Sequence, residues 1–283
     1  VSWRLKIYSK SGIKTMNLAE LYLSLPARFP ELRGQVALVT GSSQGIGLGI
    51  AARLAREGMR VVITGLEGEQ VESVTNELKG AGADVLGVPA NLSSSTEIES
   101  LFQTMLGAFG TIDVLVNNAA DLRRMAFSEV SENLIDYQLA VNIKAPLVCS
   151  QRAGAIMCAA KKGRIISITS PGAERAHLPG LPYDATKGAI NSMTRALAVE
   201  YAQYNVLVNA VAPGWANTWH AGEITGEAQE VAARIPLGRP LKFGEIGGVV
   251  AFLASPDADY VTGQIYYMDG GVTAQMSPPG QPI

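Results

Sequence analysis

The scarcest features of this chain already exclude several kinds of protein. Its 283 residues include two cysteines and two histidines. Cys149 and Cys158 fall in one helix-period segment, where helical rise separates them by about 13 Å along the axis. They are expected as free thiols in a reducing compartment, not as a disulfide framework. His177 and His220 lie in different loops, expected as polar surface positions, and no metal-ligand spacing appears. Surplus charge is also lacking: 23 basic residues face 25 acidic ones, a net charge of −2. The longest basic stretch is Lys161, Lys162 and, past Gly163, Arg164, which argues against nucleic acid or an anionic membrane as partner. No run approaches the ~18 apolar residues of a membrane span. The opening VSWRLKIYSKSGIKTMNLAELYL lacks the apolar core of a secretory signal. A soluble, cytoplasmic protein is expected, with residues 1–15 an upstream extension that the fold does not need.

What is present is regular. Thirty glycines and 14 prolines are spread along the chain as turns and caps, and no internal repeat is visible. Near-continuous apolar runs at 35–40, 60–64, 84–89, 112–116, 163–169, 205–211 and 263–268 read as strands covered on both faces. Between them, TEIESLFQTMLGAF places Ile98, Leu101, Phe102, Met105, Leu106 and Phe109 on one helical stripe, with Ser95 or Thr96 as its cap. This alternation predicts an α/β fold: one Rossmann-type domain over 34–283, a doubly wound seven-stranded parallel sheet with helices on both faces, preceded by an extension over 1–33. Ligands of such sheets bind at the carboxyl ends of the strands.

The loop leaving the first of these strands is TGSSQGIGLGI, residues 40–50. Gly41, Gly45 and Gly47 permit a tight turn and close backbone approach, and the helix that follows offers free N–H groups to a phosphate. Further along, Tyr183 and Lys187 lie four residues apart and share a helix face. Alone, that pair reads as the edge of an amphipathic helix. It does not stand alone: NNAA (117–120), Asn142 in VNIKAP, Ser170 in ISITSPG and APGWANT (212–218) accompany it in order. With TGSSQGIG they make the chain, from about residue 34 to 273, resemble the short-chain dehydrogenases/reductases, in particular 3-oxoacyl-carrier-protein reductases and sugar dehydrogenases.

The resemblance implies an NAD(P)(H)-dependent oxidoreductase that interconverts a carbonyl and a secondary alcohol. Tyr183 would be its general acid/base, Ser170 the partner of the substrate oxygen, Lys187 the holder of the nicotinamide ribose, and Asn142 the support of a water-mediated proton path. A nearby ammonium and the oxidised nicotinamide are both expected to lower the phenol pKa from its ordinary value of about 10. The resemblance assigns phosphate-loop contacts to Gly41, Ser43, Gln44, Gly45, Ile46 and Gly47. It assigns adenosine-side contacts to Gly65, Leu66, Asn91, Leu92, Asn118, Ala119 and Ala120, and nicotinamide-side contacts to Pro213, Gly214, Trp215, Thr218, Tyr183 and Lys187. A non-catalytic nucleotide sensor on the same fold is the alternative.

Three positions depart from the family pattern. Ala120 stands where glycine is usual, and Asn91 replaces an aspartate whose carboxylate accepts from adenine; its amide oxygen is expected to do the same. Gly65 replaces the acidic residue of NAD users, while the basic residues of NADP users are missing at Gln44 and Leu66, so NADP(H) is slightly favoured over NAD(H). Trp215, Trp219, His177, His220, Glu174 and Arg175 are expected to line a substrate pocket for a 3-oxoacyl thioester or a sugar or polyol, under a lid at about 215–236. Arg123 and Arg124 are expected on the solvated surface, with contact to an anionic carrier or a carboxylate as the alternative, and Asp184 at a surface or subunit contact. Small residues after Asn142 (Ala153, Gly154, Ala155) and after Tyr183 (Ala185, Ala189, Ser192, Ala196) suit either close helix packing in a homodimer or homotetramer, as the resemblance implies, or packing on the sheet of one subunit.

Overall fold

The computed structural model describes residues 4–9, 12–216 and 227–277. It opens with an antiparallel hairpin, β1 (Arg4–Ser9) and β2 (Gly12–Asn17), and a short helix α1 (Leu18–Ser24). Strands and helices then alternate: β3 (Val36–Val39), α2 (Gly45–Arg56), β4 (Arg60–Ile63), α3 (Gly68–Gly80), β5 (Val85–Gly87), α4 (Ser95–Phe109) and β6 (Val114–Asn117). The second half runs α5 (Glu132–Leu139), α6 (Ala145–Ala160), β7 (Gly163–Ile168), α7 (Leu181–Tyr201), β8 (Val206–Pro213), α8 (Glu227–Ala233), α9 (Glu245–Ala254) and β9 (Ile265–Met268).

β3 to β9 form the expected seven-stranded parallel sheet, in the order β5-β4-β3-β6-β7-β8-β9. Strand ends differ from the sequence reading by one or two residues, the usual uncertainty of terminal hydrogen bonds. Alternate residues of a strand point to opposite faces, and β3 shows the consequence. Ala37 and Val39 pack with Ile50 and Leu54 of α2, Val74 of α3 and Val250 of α9. Val36 and Leu38 pack with Leu101 of α4 and Cys149 and Ala153 of α6. Helices therefore cover both faces. The chain winds outward from β3 through β4 to β5, then crosses back to β6, so the crevice above β3 and β6 is the switch point where a ligand fits. Cys149 and Cys158 are free thiols on α6, and Ser94, one residue before the expected cap, caps α4 by accepting from Glu97 N–H at 3.3 Å. Among the described residues, no helix is long and apolar enough to cross a membrane.

The segment before residue 34 is more integrated than its sequence indicates. Asn17 and Glu20 close a capping box at the start of α1, and Leu18, Tyr22, Leu25 and Leu32 join the core of α2 and α3. Glu57, at the end of α2, pairs with Arg53 through Oε1 and accepts from the N–H groups of Arg28 and Phe29 at 2.6 and 2.9 Å through Oε2. Packing against the domain thus begins at Leu18. Removing residues 1–15 is expected to leave the melting temperature unchanged. Tyr22→Ala is expected to cost about 3 kcal/mol, a fall of roughly 5–10 °C in a thermal melt.

Candidate active site

Thr40 ties the ends of the two central strands. Its hydroxyl oxygen accepts from the N–H groups of Asn118 (2.9 Å) and Ala119 (3.0 Å). In return, Asn118 Nδ2 donates to the carbonyls of Thr40 (2.8 Å) and Gly41 (3.0 Å). Asn117 points the other way and donates to Ser150 Oγ at 3.0 Å. The glycine loop starts from this knot. Gly41 turns at a φ of +61°, and a Cβ on Gly47 would lie 2.3 Å from the Gly41 carbonyl oxygen and 2.4 Å from Asn118 Nδ2. The loop therefore accepts no side chain there, and it delivers the bare N-terminus of α2 to the crevice.

The crevice is a cleft of about 1100 Å³. Every cofactor residue named from the sequence lines it, except Thr218, which lies outside the described residues. Glycines that a Cβ would fill, the helix N-terminus and the depth of the cleft suit a dinucleotide. At the adenosine end, a Cβ on Gly65 would meet Ser43 Oγ at 2.3 Å. Ser43 in turn donates to Gln70 Oε1, and Gln70 Nε2 to Gln44 Oε1, both at 3.3 Å. Gln70 carries no signal in the sequence, since an exposed helix position looks the same whatever it faces. Asn91 departs from expectation: Ser93 N–H and Oγ both donate to its Oδ1, at 3.0 and 2.7 Å. Both lone pairs of that oxygen are taken, which leaves Nδ2, a donor, to offer to a ligand.

At the other end, α7 lies across the carboxyl end of β7. Lys187 Nζ donates to the Ile168 carbonyl at 2.8 Å, and Thr169 Oγ1 donates to the Lys187 carbonyl at 3.2 Å. Tyr183, one turn earlier and buried, lies beside Ser170, with Lys187 Nζ 5.6 Å from its ring centre. The protein's own groups do not lower the phenol. Burial pushes the Tyr183 pKa above its ordinary value, and Asp184 adds to this, against the opposing pull of Ser170 and Arg124. Burial also brings Lys187 down to about 8.

Asn142 sits in a π-helical turn, Ala140–Lys144, between α5 and α6, the kind of bulge that re-aims a side chain. Its Oδ1 accepts from Asp121 N–H (2.7 Å), and its Nδ2 donates to the Asp121 carbonyl (3.0 Å) and to Thr186 Oγ1 (3.1 Å). Thr186, which the sequence did not single out, donates to the Tyr183 carbonyl at 2.7 Å, so Asn142 reaches α7 through it.

One surface expectation is corrected. Asp184 is buried, because the loop over 171–180 folds back across the first turn of α7. Its Oδ2 accepts from His177 N–H and its Oδ1 meets His177 Nδ1, both at 2.7 Å. His177 and Trp215 line the cleft, whereas Glu174 turns to Tyr267 and Arg175 to the Thr273 carbonyl; Trp219 and His220 lie outside the described residues. Arg123 and Arg124 are both exposed, as expected; Arg123 pairs with Asp121, while Arg124 lines the cleft with its guanidinium 5.9 Å from the Tyr183 ring centre.

A family model described as enoyl-(acyl carrier protein) reductase matches residues 41–273. A 3-oxoacyl-acyl-carrier-protein reductase of Aquifex aeolicus is 37% identical over 246 residues, 86% of this chain and 98% of that protein. The chain belongs to the short-chain dehydrogenase/reductase family. A hydroxy(phenyl)methylsuccinyl-CoA dehydrogenase subunit of Thauera aromatica is 36% identical over 244 residues, 85% of this chain and 97% of that one. A solved gluconate 5-dehydrogenase from Burkholderia cenocepacia, in complex with NADP and tartrate, superposes with a TM-score of 0.80 at 30% identity, covering 86% of this chain and 97% of that one. As a short-chain dehydrogenase/reductase, this chain is an NAD(P)-dependent oxidoreductase of carbonyls and alcohols. Gly47→Ala is expected to weaken nicotinamide cofactor binding at least tenfold in a fluorescence titration while leaving the far-ultraviolet circular dichroism unchanged.

Proposed function

We propose that the protein interconverts a ketone and a secondary alcohol with Tyr183 as the proton donor and acceptor. The observation that carries this is the convergence of Ser170, Tyr183 and Lys187 at the end of β7, in the cleft that the glycine loop opens. When bound, the nicotinamide supplies or takes the hydride. The protein does the rest. Burial keeps the phenol protonated at neutral pH, the state required to protonate a carbonyl oxygen. Ser170 orients that oxygen toward the phenol. Lys187 Nζ spends one of its three donors on Ile168, leaving the others for the nicotinamide ribose hydroxyls, and its charge favours the phenolate as the proton departs. Asn142 and Thr186 hold α7 in register with the loop at Asp121, the structural support for the proton path assigned to Asn142.

The substrate classes supported are a 3-oxoacyl thioester, as the Aquifex aeolicus relative reduces by its name, and a sugar or polyol, the class to which gluconate, named for the Burkholderia cenocepacia relative, is the related acid. NADP(H) is the favoured cofactor, because Ser43 leaves no room at position 65 for the carboxylate that would repel a 2′-phosphate. The margin is small, since Glu67 also lines that end and no guanidinium does so among the described residues. The residues from 215 to 236 are the proposed lid, of which α8 supplies the helical part. Homodimer or homotetramer formation is proposed through α6 and α7, where Leu147, Ala185 and Val199 are exposed while Ala153 and Gly154 pack inside the subunit.

Tyr183→Phe is expected to lower kcat by roughly 10²–10⁴-fold with cofactor affinity unchanged; turnover like that of the wild type would refute the assignment. Leu66→Arg is expected to raise the NADP-over-NAD ratio of kcat/KM about tenfold, the effect of a charge-assisted hydrogen bond worth about 1.5 kcal/mol. A wild-type preference for NAD of tenfold or more would overturn the cofactor reading.

A further inference from the structure

One side-chain cluster in the cleft takes no part in the proton and hydride transfer: the buried Asp184, the half-exposed His177 that it grips, and Arg124. Asp184 fixes His177 twice, at its backbone N–H and at ring Nδ1, both at 2.7 Å. The grip is walled in by glycines. A Cβ on Gly172 would lie 2.1 Å from Asp184 Oδ1 and 2.7 Å from His177 Cε1, and one on Gly180 would lie 2.8 Å from His177 Cβ. The imidazole is held by its two bonds to Asp184 and by close packing against Gly172 and Gly180. It lines the cleft, with its ring centre 6.3 Å from that of Tyr183.

A carboxylate on Nδ1 selects the Nδ1–H tautomer of a neutral imidazole, which leaves Nε2 as a lone-pair acceptor. Such a group receives a hydroxyl. On the Tyr183 side of the cleft, Asp121 is paired with Arg123 and bonded to Gln138, and the buried Asp184 spends both oxygens on His177. Arg124 lines the cleft with its guanidinium 5.9 Å from the Tyr183 ring centre and has no ion-pair partner among the described residues. This unpaired guanidinium attracts an anion and, through its fork, suits a carboxylate.

We propose that Arg124 and His177 are specificity-determining residues, with Asp184 as the positioning residue of His177, and that the substrate is a hydroxylated carboxylic acid. Arg124 takes its carboxylate, and His177 Nε2 accepts from a hydroxyl beside the reacting carbon. This rests on the carbonyl–alcohol reading of the same site and narrows its substrate.

The test is calorimetric titration of the full-length protein, saturated with NADP⁺, with D-gluconate, the neutral polyol D-sorbitol, and 3-hydroxybutanoate, an acid with no second hydroxyl. D-gluconate is expected to bind at least tenfold more tightly than D-sorbitol, and Arg124→Leu to erase that difference. His177→Leu is expected to weaken both polyhydroxy ligands at least fivefold while leaving 3-hydroxybutanoate within twofold, and His177→Gln, whose amide oxygen can accept, to restore most of the loss. Asp184→Asn is expected to follow His177→Leu, with folding checked by a thermal melt; if it fails to fold, the two His177 variants decide. Equal affinity for D-gluconate and D-sorbitol, no binding of either, or variants indistinguishable from the wild type would overturn the proposal. Nicotinamide absorbance with the same compounds separates it from the reaction assignment. Turnover of a neutral alcohol without discrimination for acids removes the hydroxy-acid subsite alone, whereas discrimination in binding with no turnover of any of them counts against the reaction alone.

Discussion

The burial of one ammonium group governs the geometry of this site. Lys187 is enclosed, and the described residues give it a single acceptor, the Ile168 carbonyl at the end of β7. Taking such a charge out of water costs several kcal/mol, visible in its pKa falling to about 8. The sheet can present that carbonyl because β7 ends there, and α7 can reach it because Thr169 answers with a bond to the Lys187 carbonyl. Once helix and strand are joined at this point, Tyr183 is fixed one turn away and Ser170 two residues beyond the strand. An isolated ammonium so placed is an expensive structural device, but a reasonable one when a ligand hydroxyl completes its hydrogen bonds.

The second constraint is the Thr40 knot between β3 and β6. Four hydrogen bonds hold the two strand ends in register, and the glycine loop, the floor of the cleft and the start of α2 inherit their positions from it. The phosphate end, at β3, and the proton-transfer end, at β7, thus sit on one sheet with only β6 between them. Between them, the π-helical turn at Asn142 aims a fully bonded amide at both the Asp121 loop and Thr186, joining the two ends through α7.

Much of this was legible in the sequence because it rests on local rules. Runs of buried β-branched residues announced all seven parallel strands, and strand–glycine loop–helix grammar located the cleft. The four-residue spacing put Tyr183 and Lys187 on one face. The misreadings share a physical cause. Asp184 was expected at a surface because one helical step turns it away from Lys187, but a loop seven residues upstream supplied its partner, His177. Asn91 kept its amide for a local turn with Ser93. The Tyr183 phenol was read from the charges expected beside it, whereas burial, which no spacing encodes, raises its pKa. Leu18 and Tyr22 looked like part of an extension and are core, because their packing partners lie on α2 and α3.

Tyr183 is a buried proton donor poised by its surroundings. The most direct measurement of that role is an NMR titration of the protein labelled with tyrosine carrying ¹³C at Cζ, the Tyr183 signal assigned through Tyr183→Phe, without and with saturating oxidised cofactor. The phenol is expected to titrate above its ordinary value of about 10 in the free protein and to move down when the positively charged nicotinamide is bound. A phenol titrating below that value in the free protein, or one that does not respond to the cofactor, would contradict it.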